Sequence, residues 1–320
     1  MKKSFFILLA LSLIGITACG QTATNTTSTT NSAQAQSSSK AVTITDFANR
    51  NVAFTAAPQK IVALSNGEMD IVYALGGTLV GRPTAAGPVS IPEAKNVEQV
   101  GSTHGMDLEK VAFLSPDVVL GNNPLNTKDI PAVEGIGAKM VLTNANSIEE
   151  VMKQIQLFGQ MLQKEDKAKQ LNQAIEQKLK ELKTNQSAVK PRVLMVYGAP
   201  GTYMAALNNS LSGSLLISAG GENIAADYPK LDNYPQYAQL NTEKIMKSNP
   251  QLILIMSHGN PEKVKDGFLK EMQQNAAWSS MDAVKNNKVE ILPADLFGTN
   301  PGTKVIEALD MMNKLLQGVK

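Results

Sequence analysis

His104 and His258 are the only histidines in the sequence, and each stands beside one copy of a repeated pattern. Glu109 opens E-K-V-A-F-L-S-P-D-V-V-L and Glu243 opens E-K-I-M-K-S-N-P-Q-L-I-L; both reduce to E-K-[VI]-x3-[SN]-P-x-[VL]-[VI]-L. Imidazole suits proton transfer near neutral pH and metal ligation. One imidazole beside each copy of a duplicated scaffold implies two lobes that grip one ligand. The partners that enzyme chemistry needs are missing. No G-x-S-x-G occurs, a histidine-based triad has no evident nucleophile partner, and Gly135-Ile136-Gly137 lacks the third glycine of a dinucleotide fingerprint. A zinc or manganese cage needs three or four His, Asp or Glu ligands, and two histidines without a His-rich loop supply too few. The chain reads as a binder and not as an enzyme.

The elements that must position these histidines follow from periodicity. Residues 60–64, K-I-V-A-L, form a short β-branched run that predicts a buried strand, with a helix over 68–75 stopped by Gly76-Gly77. Asp107 predicts an N-cap for a helix over 108–114, and Pro116 ends it before a strand at 117–120. The second half repeats the first, with strands at 192–197 and 251–256, a helix over 214–219, and Thr242 capping a helix to 247. The shift from Ile61 to Val193 is 132 residues, and those from Glu109 to Glu243 and Pro116 to Pro250 are 134. A near-constant offset argues for two similar lobes, and strands alternating with helices argue for α/β architecture with parallel sheet. His258 then follows a strand at its carboxyl end, where open α/β sheets bind ligands, and His104 lies in a loop before a helix. The limits are 41–146 for the first lobe and 184–320 for the second. Between them, residues 147–183 carry apolar side chains at helical spacing without a proline, which predicts one connecting helix of about 55 Å. A hairpin broken near 164–167 is the alternative.

The amino terminus assigns the compartment. Lys2 and Lys3 precede an apolar run over 5–16 and then Thr17-Ala18-Cys19-Gly20, so residues 1–18 read as a secretory signal. I-T-A-C resembles the bacterial lipoprotein processing site, with Cys19 lipidated as the first mature residue. Cys19 is the only cysteine, which excludes an intramolecular disulfide and a thiolate metal site. Apart from Gly20 and Lys40, the rest of 19–40 is Thr, Ser, Asn, Gln and Ala, a flexible tether. The protein is expected on the extracellular face of the membrane, lipid-anchored and monomeric. Lys2 and Lys3 account for the excess of 30 basic over 28 acidic residues, so the mature chain is near neutral and carries no nucleic-acid footprint.

Five further segments carry a family resemblance. They are V-G-S-T-H at 100–104, R-V-L-M-V-Y-G-A-P-G-T-Y at 192–203, A-G-G-E-N at 219–223, H-G-N-P-E-K-V-K at 258–265 and W-S-S-M-D-A-V-K-N-N-K-V at 278–289. With the signal, tether and lobes, they resemble the substrate-binding lipoproteins of iron-uptake ABC importers, and within that group the haem-binding receptors of Gram-positive bacteria. The resemblance implies two Rossmann-like α/β lobes joined by one long helix, with haem as the transported ligand in the cleft between them. It implies delivery to an ABC permease and its ATPase, and haem-donating surface proteins upstream. It puts a haem-iron ligand at His258. The first-lobe ligand of such receptors is often a methionine, in the loop where this chain has His104, so the implied ligation is bis-histidine, with Met106 and Met69 as alternatives to His104. Imidazole suits iron. In such receptors one surface glutamate per lobe docks onto arginines of the permease, which the resemblance assigns to Glu109 and the internal repeat to Glu243. Both acids also suit the first turn of a helix for dipole reasons alone.

Haem is a flat apolar disc with two carboxylates, so its pocket needs apolar walls and a few donors at the rim. Tyr203, Met204, Tyr234 and Phe297 are wall candidates by loop position, and Ser65 and Asn66, at a strand-to-helix turn, are donor candidates. A ferric-siderophore receptor of the same fold is the alternative function. Such ligands favour arginine-rich pockets, and the chain has only Arg50, Arg82 and Arg192.

Overall fold

The computed structural model describes residues 40–84, 89, 91–199, 201–257, 261–274, 277–298 and 300–319. The expected leader, Cys19 and most of the expected tether lie outside the described residues, as does His258.

Two sheets organise the body. In the first lobe the order is Glu98–Gln99, Leu79–Arg82, Ile61–Ala63, Val118–Asn122, Lys139–Thr143, with every pairing parallel. In the second lobe the order is Tyr237–Gln239, Thr202–Ala206, Arg192–Ala199, Leu252–Met256, Val289–Ile291, with Glu222–Asn223 also pairing on Arg192–Ala199. There Arg192–Ala199, Leu252–Met256 and Val289–Ile291 run parallel, and Thr202–Ala206 pairs antiparallel with both Arg192–Ala199 and Tyr237–Gln239. Ile61–Ala63 and Leu252–Met256 are buried at every position, as strands covered on both faces must be.

The repeat read from sequence is a repeat in three dimensions. Helices Leu108–Leu114 and Thr242–Ser248 have the same length. Asp107 and Asn241 cap them by accepting from the backbone N–H of Lys110 and Lys244; Thr242, expected as the second cap, is instead the first helical residue. Ser115 and Asn249 close them in the left-handed region, at φ 46° and 43°. Each helix buries one side chain, Val111 or Ile245, and then feeds a buried strand.

The connecting segment departs from the expected single helix. It forms two helices, Ile148–Leu162 and Glu165–Thr184, with Gln163 left-handed at φ 55° between them. They pack antiparallel. The Asn172 amide donates to the Met152 carbonyl at 3.0 Å, and a Cβ on Gly159 would collide with that of Ala168. The second helix alone runs on to the second lobe, and its 20 residues span about 30 Å, not 55.

The lobes are fastened together. The largest apolar cluster takes Ile61, Val118 and Phe158 from one side and Met195, Leu254 and Leu309 from the other. Residues 300–304 reach back to the first lobe, where Asp70 Oδ2 accepts from the backbone N–H and the hydroxyl of Thr303, both at 2.6 Å. Asn300 donates to buried Gln154 at 2.8 Å, and Gly67 leaves the room that Asn300 fills.

Candidate functional site

Strands of a parallel sheet end together at one edge, and the loops leaving that edge hold the candidate residues. In the first lobe the pin is Asn126, which is 1 % exposed. Its Oδ1 accepts the N–H of Asn122 at 2.9 Å, and its Nδ2 donates to the Thr103 carbonyl at 3.1 Å and to Asp129 at 2.8 Å. Asn126 therefore fastens the hairpin of Gly101–Ser102 and Gly105–Met106 to the end of strand Val118–Asn122. Gly101, at φ +93°, lets the hairpin close, because a Cβ there would strike the Gly105 carbonyl. His104 is at the tip, with its side chain exposed and its N–H donating to the Ser102 hydroxyl at 3.2 Å. Met106 is half-buried on the apolar cluster under the hairpin. Met69 does not compete with His104: it is a core residue of the inter-lobe cluster, held inward by the helix that carries it.

Ser65 and Asn66 part company. Ser65 caps helix Asn66–Ala74, its hydroxyl accepting from Glu68 and its N–H donating to Glu68 Oε2 at 3.0 Å. Its backbone donor is thus already taken, which corrects the expectation of a free rim donor. Asn66 is exposed. The Glu68 carboxylate also accepts from the Leu64 N–H at 3.2 Å and the Thr143 hydroxyl at 2.8 Å, tying together the ends of two strands. Burial pushes its pKa up, against the pull of these hydrogen bonds.

In the second lobe, strand Leu252–Met256 runs to buried Ser257, and His258 follows outside the described residues. Tyr203 is a core residue, not a pocket wall. Its hydroxyl donates to the Val264 carbonyl at 3.1 Å and its ring meets Phe268 edge-on at 5.1 Å. Phe297 is also buried in the core rather than lining a pocket. Met204 is half-buried on the opposite face of its strand from Tyr203 and pairs across to Tyr197. Tyr234 is 57 % exposed. Sequence reasoning missed Tyr197 and Tyr237, whose rings stack at 4.9 Å and 32° on the face that carries Met204. Burial raises both hydroxyl pKa values. The strand alternation in R-V-L-M-V-Y held the signal for Tyr197, because it sets Tyr197 apart from Val196. Gln236, beside this pair, donates across the lobes to Asn146 at 3.4 Å.

Glu109 and Glu243 occupy the same first-turn position of the two repeated helices, and both are exposed. Each helix runs back along its sheet to the amino end of a strand, so its own start is at the carboxyl edge. The three arginines serve the scaffold. Arg50 pairs with Asp46 at 2.8 Å, buried Arg82 donates to the Pro83 carbonyl at 3.1 Å, and Arg192 donates to the carbonyls of Ser248 and Asn249 at 2.9 Å. Among the described residues no three His, Cys, Asp or Glu side chains gather as a metal cage, and no helix is long and apolar enough to cross a membrane.

Residues 61–296, which hold both sheets, match the family model described as periplasmic binding protein. The chain belongs to the periplasmic binding protein family. It is similar to the high-affinity heme uptake system protein IsdE of Staphylococcus aureus strain Newman, at 32 % identity over 241 residues, 74 % of this chain and 80 % of that protein. An ABC transporter substrate-binding protein from Listeria monocytogenes EGD-e superimposes with TM-score 0.71 at 32 % identity, covering 81 % of this chain and 99 % of that one. S. aureus IsdE complexed with heme superimposes with TM-score 0.70 at 29 % identity, covering 80 % and 98 %. As a periplasmic binding protein the chain is a binding component and not an enzyme, and its two-lobed α/β fold is the one that these relatives share.

Proposed function

We propose that this periplasmic binding protein is a haem receptor, held at the extracellular face of the membrane through Cys19, which takes haem between its lobes and passes it to an ABC permease and its ATPase. The observation that carries the reading is the presentation of His104: an exposed imidazole at the tip of a hairpin whose backbone is pinned by buried Asn126. A pinned backbone whose imidazole has no partner among the described residues is what iron ligation from the first lobe requires. The likeness to a heme uptake protein over three quarters of the chain supports haem as the cargo. His258 is the ligand proposed from the second lobe. Met204 and Tyr234, with the Tyr197–Tyr237 pair beside them, are proposed as wall, and Asn66 as a rim donor. Engagement of Arg50 and Arg192 in the scaffold, with Arg82 buried, speaks against an anionic siderophore. Glu109 and Glu243 are proposed to orient the receptor on the permease through charge complementarity.

The test is a haemin titration followed by absorbance. Wild-type protein is expected to give a sharp Soret shift with low-spin bands. His258→Ala should weaken binding by about tenfold or more, and His104→Ala should alter the spectrum more than Met106→Ala. A larger effect from Met106→Ala would replace His104 as the ligand. Saturable binding of a ferric siderophore without any haem spectrum would replace the cargo.

A further inference from the structure

Phe113 is 89 % exposed, the most exposed large apolar side chain among the described residues. It lies on helix Leu108–Leu114, four residues after Glu109, so the ring and the carboxylate are neighbours on one helix face. The fold makes no use of the ring, because buried Val111 and half-buried Leu114 anchor this helix from its other side. The repeat supplies an internal comparison. The second-lobe helix has the same length, the same type of cap and one buried anchor, and at the position of Phe113 it carries Lys247, an exposed side chain that water solvates well. The first lobe alone places an aromatic ring there.

The charges around the ring select its partner. Lys110 is engaged by Glu98 at 2.6 Å and by the Gln99 carbonyl at 3.1 Å, while Glu109 makes no ion pair among the described residues. The face therefore offers an uncompensated carboxylate beside an aromatic ring. An arginine matches both, its planar edge forking onto the carboxylate while its face lies on the ring. Anionic lipid is disfavoured, because the same carboxylate repels it. We propose that Phe113 and Glu109 form one docking element for an arginine-bearing surface of the importer's permease, with Phe113 the apolar anchor. This rests on the permease-docking reading of Glu109 and adds to it the residue that makes the first lobe's contact unlike the second's.

The experiment uses haem-loaded receptor and the importer's permease–ATPase complex in nanodiscs, reading stimulated ATP hydrolysis against receptor concentration. Phe113→Ala is expected to raise the half-saturating concentration by roughly tenfold, as loss of an aromatic anchor does. Phe113→Lys, the residue of the second lobe, should raise it further. Haemin titration and thermal midpoint should stay unchanged, since the ring is outside the core. Combining Phe113→Ala with Glu109→Ala should cost less than the two separate effects together, because one arginine is lost once. An unchanged half-saturation for Phe113→Ala with a raised one for Glu109→Ala would overturn this inference and leave the docking reading standing. No change for either variant would overturn both. Self-association in sedimentation, or binding to phosphatidylglycerol–phosphatidylcholine vesicles, that is lost in Phe113→Ala while permease stimulation is not, would reassign the ring to a second copy or to lipid.

Discussion

At the residue scale, the groups that shape the site are buried and polar, and their chemistry has measurable consequences. Glu68 is enclosed by the Leu64 and Ser65 N–H groups on one oxygen and the Thr143 hydroxyl on the other, and that hydroxyl also lies 3.2 Å from the Gly121 carbonyl. Burial raises its pKa above the value of the unfolded chain. The stability it contributes is therefore fully present below the unfolded pKa and is lost as pH rises through the folded one. Glutamine fits the same cage, with its oxygen accepting the two N–H groups and its amide donating to Thr143. We expect Glu68→Gln to be at least as stable as wild type at pH 8 and to flatten the stability profile between pH 4 and 8, measured by guanidinium unfolding; a steeper profile would refute this. Asn126→Ala strands the Asn122 N–H and releases Thr103. It should cost about 1–3 kcal/mol and broaden the haemin transition without removing His104. The exposed histidine was legible in sequence because a pair of histidines placed one per repeat is conspicuous. Tyr203 and Phe297 were misread because loop position does not reveal which side of a strand, or of a short helix such as Ala294–Phe297, faces the core. Asn126 gave no signal at all, since a buried asparagine looks like any turn residue until its three partners are assembled.

At the scale of elements, duplication was the readable feature, because caps, a single apolar anchor and a proline recur at a fixed offset and each has a local cause. The connecting segment was not readable in the same way. Its apolar spacing lapses only over 163–170, where the hairpin alternative put the break, and the reversal is made by Gln163 in the left-handed region, where glycine or asparagine is the usual residue. The close approach of Gly159 to Ala168 turns this difference into a test of sign. In a continuous exposed helix, Gly159→Leu would stabilise by about 0.5–1 kcal/mol through helix propensity. In the hairpin it wedges the two helices apart and should destabilise by about 1–3 kcal/mol, with Gly159→Ala intermediate. Urea unfolding of the three proteins decides between them.

At the scale of the whole molecule, the lobes share their core. The cluster that contains Ile61 and Phe158 also contains Met195, Leu254 and Leu309, so neither lobe can lose its packing without exposing the other's. The carboxyl-terminal segment adds a polar tie, in which Asp70 holds Thr303 and Gln154 holds Asn300. Chains of this length, with a sheet in each half, often unfold in steps. Here a shared core calls for one cooperative transition in calorimetry, with the van't Hoff and calorimetric enthalpies in agreement. Asp70→Ala removes the acceptor for the Thr303 N–H and should lower stability by about 1–3 kcal/mol. Because the apolar cluster still spans the lobes, the transition should shift without splitting. Amide exchange should quicken in the helix Val305–Gln317 and in Asn66–Ala74 together, since the tie links these two elements. Two resolved transitions in Asp70→Ala would mean that the tie, and not the shared core, makes the lobes unfold as one. Faster exchange confined to the last helix would mean that residues 300–304 merely dock on the first lobe and restrain nothing there.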